Sequence, residues 1–360
     1  MIVDDWIAEK IGLGPGEALT RDALESWQLK KLRETLGHAV SNSPFYREKY
    51  ATHGDVPFVS GDTKGTSPCV ACAVSINSLD SITRLPFMTP EELSENDSRM
   101  VCVPASEVSR IVTLQETSGT TGAPKRVWFT EDDQELMIDY IHHGLPVMTG
   151  KDDVFLVLMP CERPGSVGDL VAKGVERIGS RAIRVGTIPK DGSRDDEVFD
   201  IIRKEGVNSG LATAPTAARL AAKSASDPVI RNNMRTILLS AQYISEEDKN
   251  IIEGSWVCKV YEHYGMTEMG LGGAMACDER TGYHPREADL LFEIIDPCTG
   301  EVLPEGEYGE IVFTTLTRKA MPFIRYRTGD FSRWLPGPCG CGSILKRLDK
   351  VGDRNERKAY

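Results

Sequence analysis

VFLVLMP, residues 154–160, is a continuous run of apolar residues, and such a run is typical of a strand that a sheet buries on both faces. AIRVGTI, residues 182–188, and TILLSA, residues 236–241, have the same character. A helix start follows at SEED, where Ser245 can cap a turn with three acidic residues. Strands that alternate with helices in this way predict an α/β fold, with a mostly parallel sheet and helices on its faces.

The segments before this α/β stretch predict further elements. Residues 28–40 place apolar residues at helical spacing, and TPEEL, residues 89–93, combines a Thr cap, a Pro and, three residues after the cap, Glu92. Thr130 and the three acidic residues after it begin another helix. Residues 51–75 are rich in Gly, Ser, Thr and Asp, which indicates an irregular surface segment.

From about residue 288 onward, the sequence pattern changes from alternating strands and helices to successive strands. LLFEIIDPCTGEVL, GEIVFTTL and PFIRYRTGD are strand-like runs, separated by Asp-Pro, Thr-Gly and Pro-Glu-Gly turns. Short strands joined by such turns are typical of antiparallel pairing. We therefore expect an antiparallel β region after the α/β portion of the chain.

Composition and charge narrow the class of protein. The 360 residues are 40% hydrophobic and 27% charged, as in an ordinary soluble enzyme, and carry a net charge of −12. An acidic balance argues against nucleic acids and anionic membranes as partners. The sequence has no apolar run of about 18 residues and no signal-peptide pattern at its start. Nine scattered cysteines favour reduced thiols and a cytoplasmic location.

LQETSGTTGAPKRVWFT, residues 114–130, contains a polar loop that cannot pack a core. Gly119 and Gly122 allow successive N–H groups to turn toward an anion, and Lys125 adds a positive charge. The spacing differs from the nucleotide loop G-x-x-x-x-G-K-[ST]. The loop is either a phosphate cradle or an ordinary polar surface loop, and the residues of the cradle would be Thr117, Ser118, Gly119, Thr120, Thr121, Gly122 and Lys125.

Two later stretches favour the phosphate cradle. YEHYGMTEMG, residues 261–270, offers an aromatic ring, a Gly, a Thr and a Glu in close succession, and RYRTGD, residues 325–330, ends in an Asp after a tight turn. Each has a plainer interpretation, with Tyr264 as a core aromatic, Glu268 as a helix N-terminal charge and Asp330 as a turn residue.

The three stretches, in this order, resemble the signature motifs of the adenylate-forming superfamily. SPFYREKY (residues 43–50), LDSITRLPFMTPEEL (79–93) and FTTLTRKAMPFIRYRTGD (313–330) are similar to its phenylacetate–CoA ligase branch, and the resemblance covers nearly the whole chain. It implies a large AMP-binding domain over residues 1–345. The β region, approximately 288–345, would be a distorted barrel within that domain.

The resemblance implies a role for each motif. Lys125 and the loop before it would hold the β- and γ-phosphates of ATP, Thr267 would contact the α-phosphate, and Glu268 would bind Mg²⁺. A Glu beside a phosphate is repulsive unless a hard cation lies between them, which agrees with the last role. Lys125, Thr267 and Glu268 would be the catalytic residues.

The remaining nucleotide contacts would surround adenine and ribose. Tyr264 would stack on adenine, and Asp330 and Arg347 would bind the ribose hydroxyls, for which a carboxylate is a natural acceptor. The other residues expected near the nucleotide are Ser240, Ala241, Gln242, Glu262, His263, Gly265 and Met266.

The implied reaction is attack of a carboxylate on the α-phosphate of ATP, which gives an acyl-adenylate and pyrophosphate. In the family the acid binds near the segments that are residues 159–170, 212–216 and 270–274 here. The branch favours an aryl or small acyl acid. CoA is a possible acceptor of the acyl group.

Cys277, His284, Cys339 and Cys341 are a set of soft ligands that suits tetrahedral Zn²⁺. Some relatives in the branch carry similar Cys and His positions. The alternative is four unrelated reduced residues. Cys69 and Cys72 form another close pair with no partner pair nearby, and we interpret them as incidental.

The end of the sequence departs from the family pattern. The family continues through a hinge into a C-terminal domain that supplies an essential Lys, whereas GDRNER, residues 352–357, is followed shortly by Tyr360. We expect residues 346–360 to be a hinge remnant and the C-terminal domain to be absent from the sequence.

Three functions remain open. The first is a carboxylate-activating ligase, completed if necessary by a separate C-terminal domain partner. The second is an enzyme that passes the acyl group to a protein thiol, such as an acyl-carrier protein, without CoA. The third is a non-catalytic module that binds a nucleotide or an acyl-adenylate. A homodimer is also possible.

Overall fold

The computed structural model describes residues 2–51, 76–114 and 124–352. Four predictions lie wholly or almost wholly outside them: the irregular segment at 51–75, the Cys69/Cys72 pair, the phosphate loop at 117–122, and the hinge at 352–357.

Helices cover much of the described chain, and the three predicted helix starts are confirmed, with Ser245 Oγ accepting from Asp248 N at 3.0 Å. Thr89 Oγ1 accepts from Glu92 N at 3.3 Å, and Glu92 Oε2 accepts from Thr89 N at 3.0 Å, which is a complete capping box. Thr130 and Asp133 form the same pair of bonds. The helices are α1 Ile2–Lys10, α2 Arg21–Asn42, α3 Pro44–Ala51, α4 Pro90–Asn96, α5 Glu131–Gly144, α6 Val167–Ile178, α7 Asp195–Glu205, α8 Ala214–Ser224, α9 Pro228–Asn233 and α10 Glu246–Trp256.

A seven-stranded sheet forms the centre of the structure, in the order β4-β3-β5-β6-β7-β8-β9. Its first five strands are parallel to one another, and β8 and β9 continue it antiparallel. The mostly parallel sheet is therefore confirmed. Its strands are β3 Val154–Val157, β4 Arg181–Arg184, β5 Ser209–Ala212, β6 Thr236–Leu239, β7 Lys259–Tyr264, β8 Ala274–Ala276 and β9 Tyr283–Pro285.

The central strands of this sheet are buried on both faces, as their apolar runs predict. Phe155 and Val157 in β3 point into a core shared with α1, α5 and α6, whereas Leu156 between them points into a core shared with α7, α8 and α10. Tyr261 and Val260 divide in the same way on β7. Because side chains alternate along a strand, a run without polar residues is required where helices cover both faces.

The predicted burial of one strand is wrong. The run at 182–188 forms β4, but β4 is an edge strand, and its end residues Arg181 and Arg184 are exposed. Arg181 pairs with Glu205 on α7, the helix after β4, and Arg184 pairs with Glu176 on α6, the helix before it. Charged side chains at a sheet edge are typical of an edge protected from pairing with another chain.

The antiparallel β region is confirmed as a three-stranded sheet, β10-β11-β12, and the described strands do not close it into a barrel. A separate hairpin of β1 and β2 flanks the phosphate loop. These strands are β1 Arg110–Leu114, β2 Lys125–Phe129, β10 Leu290–Ile295, β11 Gly309–Thr315 and β12 Tyr326–Ser332.

The N-terminal helices are fastened to the segment between β9 and β10. Lys10 pairs with Asp289 at 2.7 Å, and Trp27 Nε1 donates to the Ala288 carbonyl at 2.9 Å. Gln28, buried on α2, donates to the Glu287 carbonyl at 2.8 Å. In the part of the chain that the structure describes, no helix is both long and apolar enough to cross a membrane.

Close packing of α6 against α5 yields a stability prediction. A Cβ on Gly174 would lie 2.4 Å from Ile141 Cγ2, so Gly174→Ala should destabilise the fold by about 1–3 kcal/mol through overpacking. Gly254 is an exposed helical glycine with nothing within 4 Å of a built Cβ, and Gly254→Ala should stabilise by up to about 1 kcal/mol. Urea unfolding of both variants measures the contrast, and a neutral Gly174→Ala would contradict the packing.

Candidate active site

The carboxyl ends of the parallel strands bring the predicted segments to one edge of the sheet. Residues 158–166 follow β3, residues 240–245 follow β6, and residues 265–273 follow β7. The chain passes from β3 outward to β4 and then back to β5 on the other side of β3, so the strand order reverses there. Ligands of open α/β sheets bind outside the carboxyl ends of the strands, near such a reversal.

The Thr-Glu motif forms a tight turn directly after β7. Thr267–Met269 is one turn of 3₁₀-helix, and the Gly270 amide closes it onto the Thr267 carbonyl at 3.0 Å. A Cβ on Gly265 would lie 2.1 Å from the Leu271 carbonyl oxygen, so only glycine fits the approach of these two segments. The turn is thus held in one shape by its own backbone.

Glu268, the predicted ligand of Mg²⁺, is a buried carboxylate near Lys125, which is one of the predicted phosphate-binding residues. Burial raises its pKa, whereas the positive charge of Lys125 at the start of β2 acts in the opposite direction. The Tyr326 hydroxyl donates to Glu268 Oε1 at 3.2 Å. Lys125 and Glu268, two of the three predicted catalytic residues, therefore lie within electrostatic reach of each other; Thr267, the third, begins the same turn.

Tyr264 and Asp330 are also brought together, across the two sheets. The Tyr264 hydroxyl on β7 donates to Asp330 Oδ2 on β12 at 3.2 Å. Tyr264 is 8% exposed and packs in the apolar core around the antiparallel sheet. Both predicted nucleotide residues thus flank one place, between the end of β7 and β12.

The residues predicted around adenine fall into two groups. Ser240 Oγ lies 3.0 Å from His263 Nδ1, and Ala241, at φ 72°, and Gln242 are exposed beside them. Glu262 is already engaged, since its carboxylate accepts from Lys249 at 2.6 Å and from the Tyr283 hydroxyl at 2.7 Å. These two contacts hold the Glu262 side chain between Lys249 on α10 and Tyr283 on β9.

Arg347 has contacts that its predicted ribose role did not anticipate. Its Nη1 donates to Thr281 Oγ1 at 2.8 Å and lies 3.8 Å from Cys339 Sγ. These contacts place the guanidinium at the Cys/His cluster. Gly265 and Met266 are partly exposed in the turn after β7, where the motif predicted them.

A small cleft lies between two of the three segments where the acid was expected, residues 159–170 and 270–274, and the third segment, residues 212–216, does not line it. Gly165 and Leu170 come from the segment after β3, and Gly270 and Leu271 from the segment after the Thr-Glu turn. The other lining residues come from the β1–β2 hairpin and α5, and they are Arg110, Val112, Phe129, Asp133, Gln134 and Met137. The lining is largely apolar, with a few polar groups, as in a site for a small organic molecule.

The four predicted metal ligands form a compact cluster, which we call the Cys/His cluster. The ligand atoms of Cys277, His284, Cys339 and Cys341 all lie within 4.8 Å of one another. Cys277 and Cys339 Sγ are 3.6 Å apart, close to the separation of about 3.8 Å that two thiolates have on tetrahedral zinc. His284 Nδ1 contacts the Lys346 carbonyl at 3.2 Å, which directs Nε2 to Cys341 at 3.4 Å.

Some residues that contact the candidate site were missed by the sequence analysis. Tyr326 donates a hydrogen bond to Glu268. Tyr326 lies within the quoted stretch RYRTGD, in which the sequence predicted a role only for Asp330. Arg286 and Arg318 are buried behind the Thr267–Met269 turn, and nothing in their spacing distinguishes them from surface arginines. Only the folded chain shows what these side chains contact.

Comparison with known proteins shows the family to which the chain belongs. The profile of the AMP-binding enzyme family matches residues 61–317. The phenylacetate–coenzyme A ligase of Pseudomonas putida is 30% identical over 356 residues, which are 97% of this chain and 74% of that enzyme. The phenylacetate–coenzyme A ligase of Escherichia coli K12 is 28% identical over 352 residues, 96% of this chain and 74% of that enzyme.

A solved structure has the same fold. The crystal structure of 2-hydroxyisobutyryl-CoA ligase, in complex with 2-HIB-AMP and CoA, matches with a TM-score of 0.79 at 21% identity, over 93% of this chain and 69% of that one. The chain belongs to the AMP-binding enzyme family, in which its relatives are phenylacetate–CoA ligases. It is an adenylate-forming acid–thiol ligase that activates a carboxylic acid with ATP as an acyl-adenylate.

His263 gives the folded protein a specific pH dependence. Burial, with a contribution from the Arg286 charge, lowers its pKa from 6.5 to about 4. The unfolded chain therefore binds more protons than the folded chain between these values, and stability falls as pH falls from 6.5 toward 4. His263→Gln removes this titration, so the stability advantage of wild type over the variant should shrink by about 1–2 kcal/mol from pH 7 to pH 5.

Urea unfolding at the two pH values measures this difference. His38→Gln, at a partly exposed position on α2, is the control. If wild type and His263→Gln lost the same stability between pH 7 and pH 5, the buried neutral imidazole would be refuted.

Proposed function

We propose that ATP binds between the carboxyl edge of the seven-stranded sheet and β12, and that the acid is a small aryl or acyl carboxylate. The observation that carries the proposal is the convergence of Lys125, Glu268, Tyr264 and Asp330, which come from three distant segments of the sequence. Cations and hydroxyls that surround an incoming anion lower the barrier by positioning it and by stabilising developing charge.

The nucleotide would lie with its phosphates toward Lys125 and its ribose toward Asp330. Asp330 accepts a hydrogen bond from Tyr264, and a carboxylate is a natural acceptor for the hydroxyls of a ribose. Ser240, Ala241 and Gln242 would border the base, where the chain leaves β6. Thr267 would contact the α-phosphate from the start of the turn.

Mg²⁺ fits the chemistry of Glu268. A carboxylate oxygen is the ligand that Mg²⁺ prefers, and this one is buried beside a cationic side chain instead of being hydrated. When bound, the ion would neutralise charge between the carboxylate and the phosphates. The role of this chain is to hold the carboxylate in place, which the Tyr326 hydroxyl does at Oε1.

The cleft between Gly165 and Leu271 is proposed as the acid site. Its mixed lining of apolar side chains and a few polar groups is typical of a site for a small organic molecule. Val112, Met137 and Leu170 offer apolar surface for an aryl or alkyl group. The named relatives act on phenylacetate and 2-hydroxyisobutyrate, which are both small acids.

The acceptor of the acyl group is proposed to be CoA, with a protein thiol as the alternative. The chain spans about three quarters of the length of the phenylacetate–CoA ligases that it matches. We propose that a Lys from outside the described residues, on this polypeptide or on a separate partner, assists adenylation. We also propose a cytoplasmic location, because the nine cysteines favour a reducing compartment.

Nucleotide binding by Asp330→Ala tests the proposed site. Loss of hydrogen bonds to a charged acceptor should weaken MgATP binding by about 1–3 kcal/mol in calorimetric titration. Asp200→Ala, at an exposed position on α7, is the control and should bind as wild type does. Equal affinity of wild type and Asp330→Ala would remove Asp330 from the site.

ATP–pyrophosphate exchange over a panel of carboxylates identifies the acid. Aryl and small acyl acids should support exchange, and long-chain acids should not, because the proposed substrate is a small aryl or acyl carboxylate. Exchange with long-chain acids alone would contradict the proposed acid site. Comparison of CoA with a carrier-protein thiol as acceptor then separates the two forms of the second half-reaction.

We propose that the Cys/His cluster holds one structural Zn²⁺. Three thiolates and one imidazole fill a tetrahedral shell and leave no open position for a substrate. Cys277 follows β8, His284 lies in β9, and Cys339 and Cys341 lie in the turn before Arg347. The ion would therefore fasten the edge of the large sheet to the segment that continues toward the hinge.

Elemental analysis of protein purified without added metal should find about one zinc per chain, as a closed set of four ligands predicts. Cys341→Ser should lose the zinc and melt at a lower temperature, whereas Cys298→Ser, at an exposed cysteine outside the cluster, should keep both. A fully folded wild type without metal would contradict this role.

A further inference from the structure

Two buried arginines donate hydrogen bonds to backbone carbonyls of the Thr267–Met269 turn. Arg318, 6% exposed, donates through Nη1 to the Glu268 carbonyl at 2.7 Å. Arg286, 3% exposed, donates through Nη2 to the Met269 carbonyl at 2.6 Å. The turn that carries Glu268 is therefore fastened at two successive carbonyls by guanidinium groups that lie inside the protein.

Arg318 also reaches the strand that carries Lys125. Its Nη2 donates to the Trp128 carbonyl at 3.1 Å, and Trp128 lies in β2, which begins at Lys125. The same planar group stacks on Phe129 at 4.3 Å and on Phe323 at 5.2 Å. One rigid guanidinium thus spans the two segments that supply the predicted cation and the predicted carboxylate of the phosphate site.

Burial of the Arg318 charge lowers the stability of the folded protein. Burial lowers the pKa of Arg318 to about 10; the Asp133 carboxylate opposes that shift, and the Arg286 charge adds to it. Arg325, which is equally buried, pairs instead with Glu293 at 2.8 Å. Buried charges without a close partner destabilise proteins, and an apolar residue of similar volume is often the more stable choice.

We propose that Arg318 is a positioning residue for the activation reaction: it holds Glu268 at a set distance and orientation relative to Lys125. This inference rests on the proposed roles of these two residues. The planar guanidinium suits the task because its two Nη groups are held in a fixed plane and point to two carbonyls, whereas the donors of an ammonium on a flexible stem have no fixed geometry. The aromatic faces of Phe129 and Phe323 keep the plane from rotating.

The proposal predicts a loss confined to the metal-dependent part of nucleotide binding. Residues that orient a metal ligand typically contribute about 10- to 100-fold to metal affinity or activity. In Arg318→Lys, calorimetric titration should show about tenfold weaker binding of ATP with Mg²⁺, and binding within about twofold of wild type in EDTA. Pyrophosphate exchange should need several-fold more Mg²⁺ for half of its maximal rate.

Arg325→Lys is the matched control, because Arg325 is as buried and also donates to two carbonyls, those of Thr83 and Leu85. Its Mg²⁺ dependence should stay as in wild type, although its stability falls. Thermal unfolding of every variant establishes that the compared samples are folded. If Arg318→Lys does not fold, Arg318→Met takes its place, since it retains volume without the buried charge.

A double-mutant cycle with Glu268→Gln completes the test. If Arg318 acts through Glu268, the double variant should bind MgATP no more weakly than Glu268→Gln alone. The reason is that Glu268→Gln already removes the effect that Arg318 has through Glu268. Additive losses, or equal Mg²⁺ dependence in Arg318→Lys and Arg325→Lys, would overturn the inference and leave the proposed site intact. A wild type that binds no MgATP would overturn both.

Discussion

Burial of both faces of the seven-stranded sheet is the constraint on which the site depends. The strands at its centre send alternate side chains into two separate apolar cores, so a polar ligand has no place on either face. The carboxyl ends of the strands remain available, because there the chain turns away from the sheet. The segments after β3, β6 and β7 meet at that edge, and they include segments predicted to bind the acid and the nucleotide.

The antiparallel sheet completes the site through a reciprocal pair of hydrogen bonds. Tyr264 on β7 donates to Asp330 on β12, and Tyr326 on β12 donates to Glu268 after β7. Each sheet thus contributes one phenol and one carboxylate. These two hydrogen bonds orient both carboxylates in a largely buried setting. The interface between the two sheets and the candidate active site are therefore one structural unit.

Elements with a strong local signal were predicted well. The capping box at Thr89 and Glu92 and the apolar run of β3 depend on neighbours in sequence, and both are confirmed. The burial of β4 was predicted wrongly because its position at the sheet edge depends on strand order, which local sequence does not encode. Arg347 illustrates a further limit: its side chain is long, and the structure shows it directed to Thr281 and the Cys/His cluster.

The sequence by itself determined the class of fold, the order of the motifs and the chemical types of the candidate ligands, because periodicity, turn residues and short motifs are local properties. Tertiary structure alone decided which of these groups meet. The antiparallel pairing of β8 with β9 brings Cys277 toward His284, and packing of the turn at 338–342 brings two more thiols to them. The burial of Arg318 could not be read from its neighbours, since a charged residue is ordinarily exposed. Its environment is set by contacts with Trp128 and Glu268, which lie far from it in sequence.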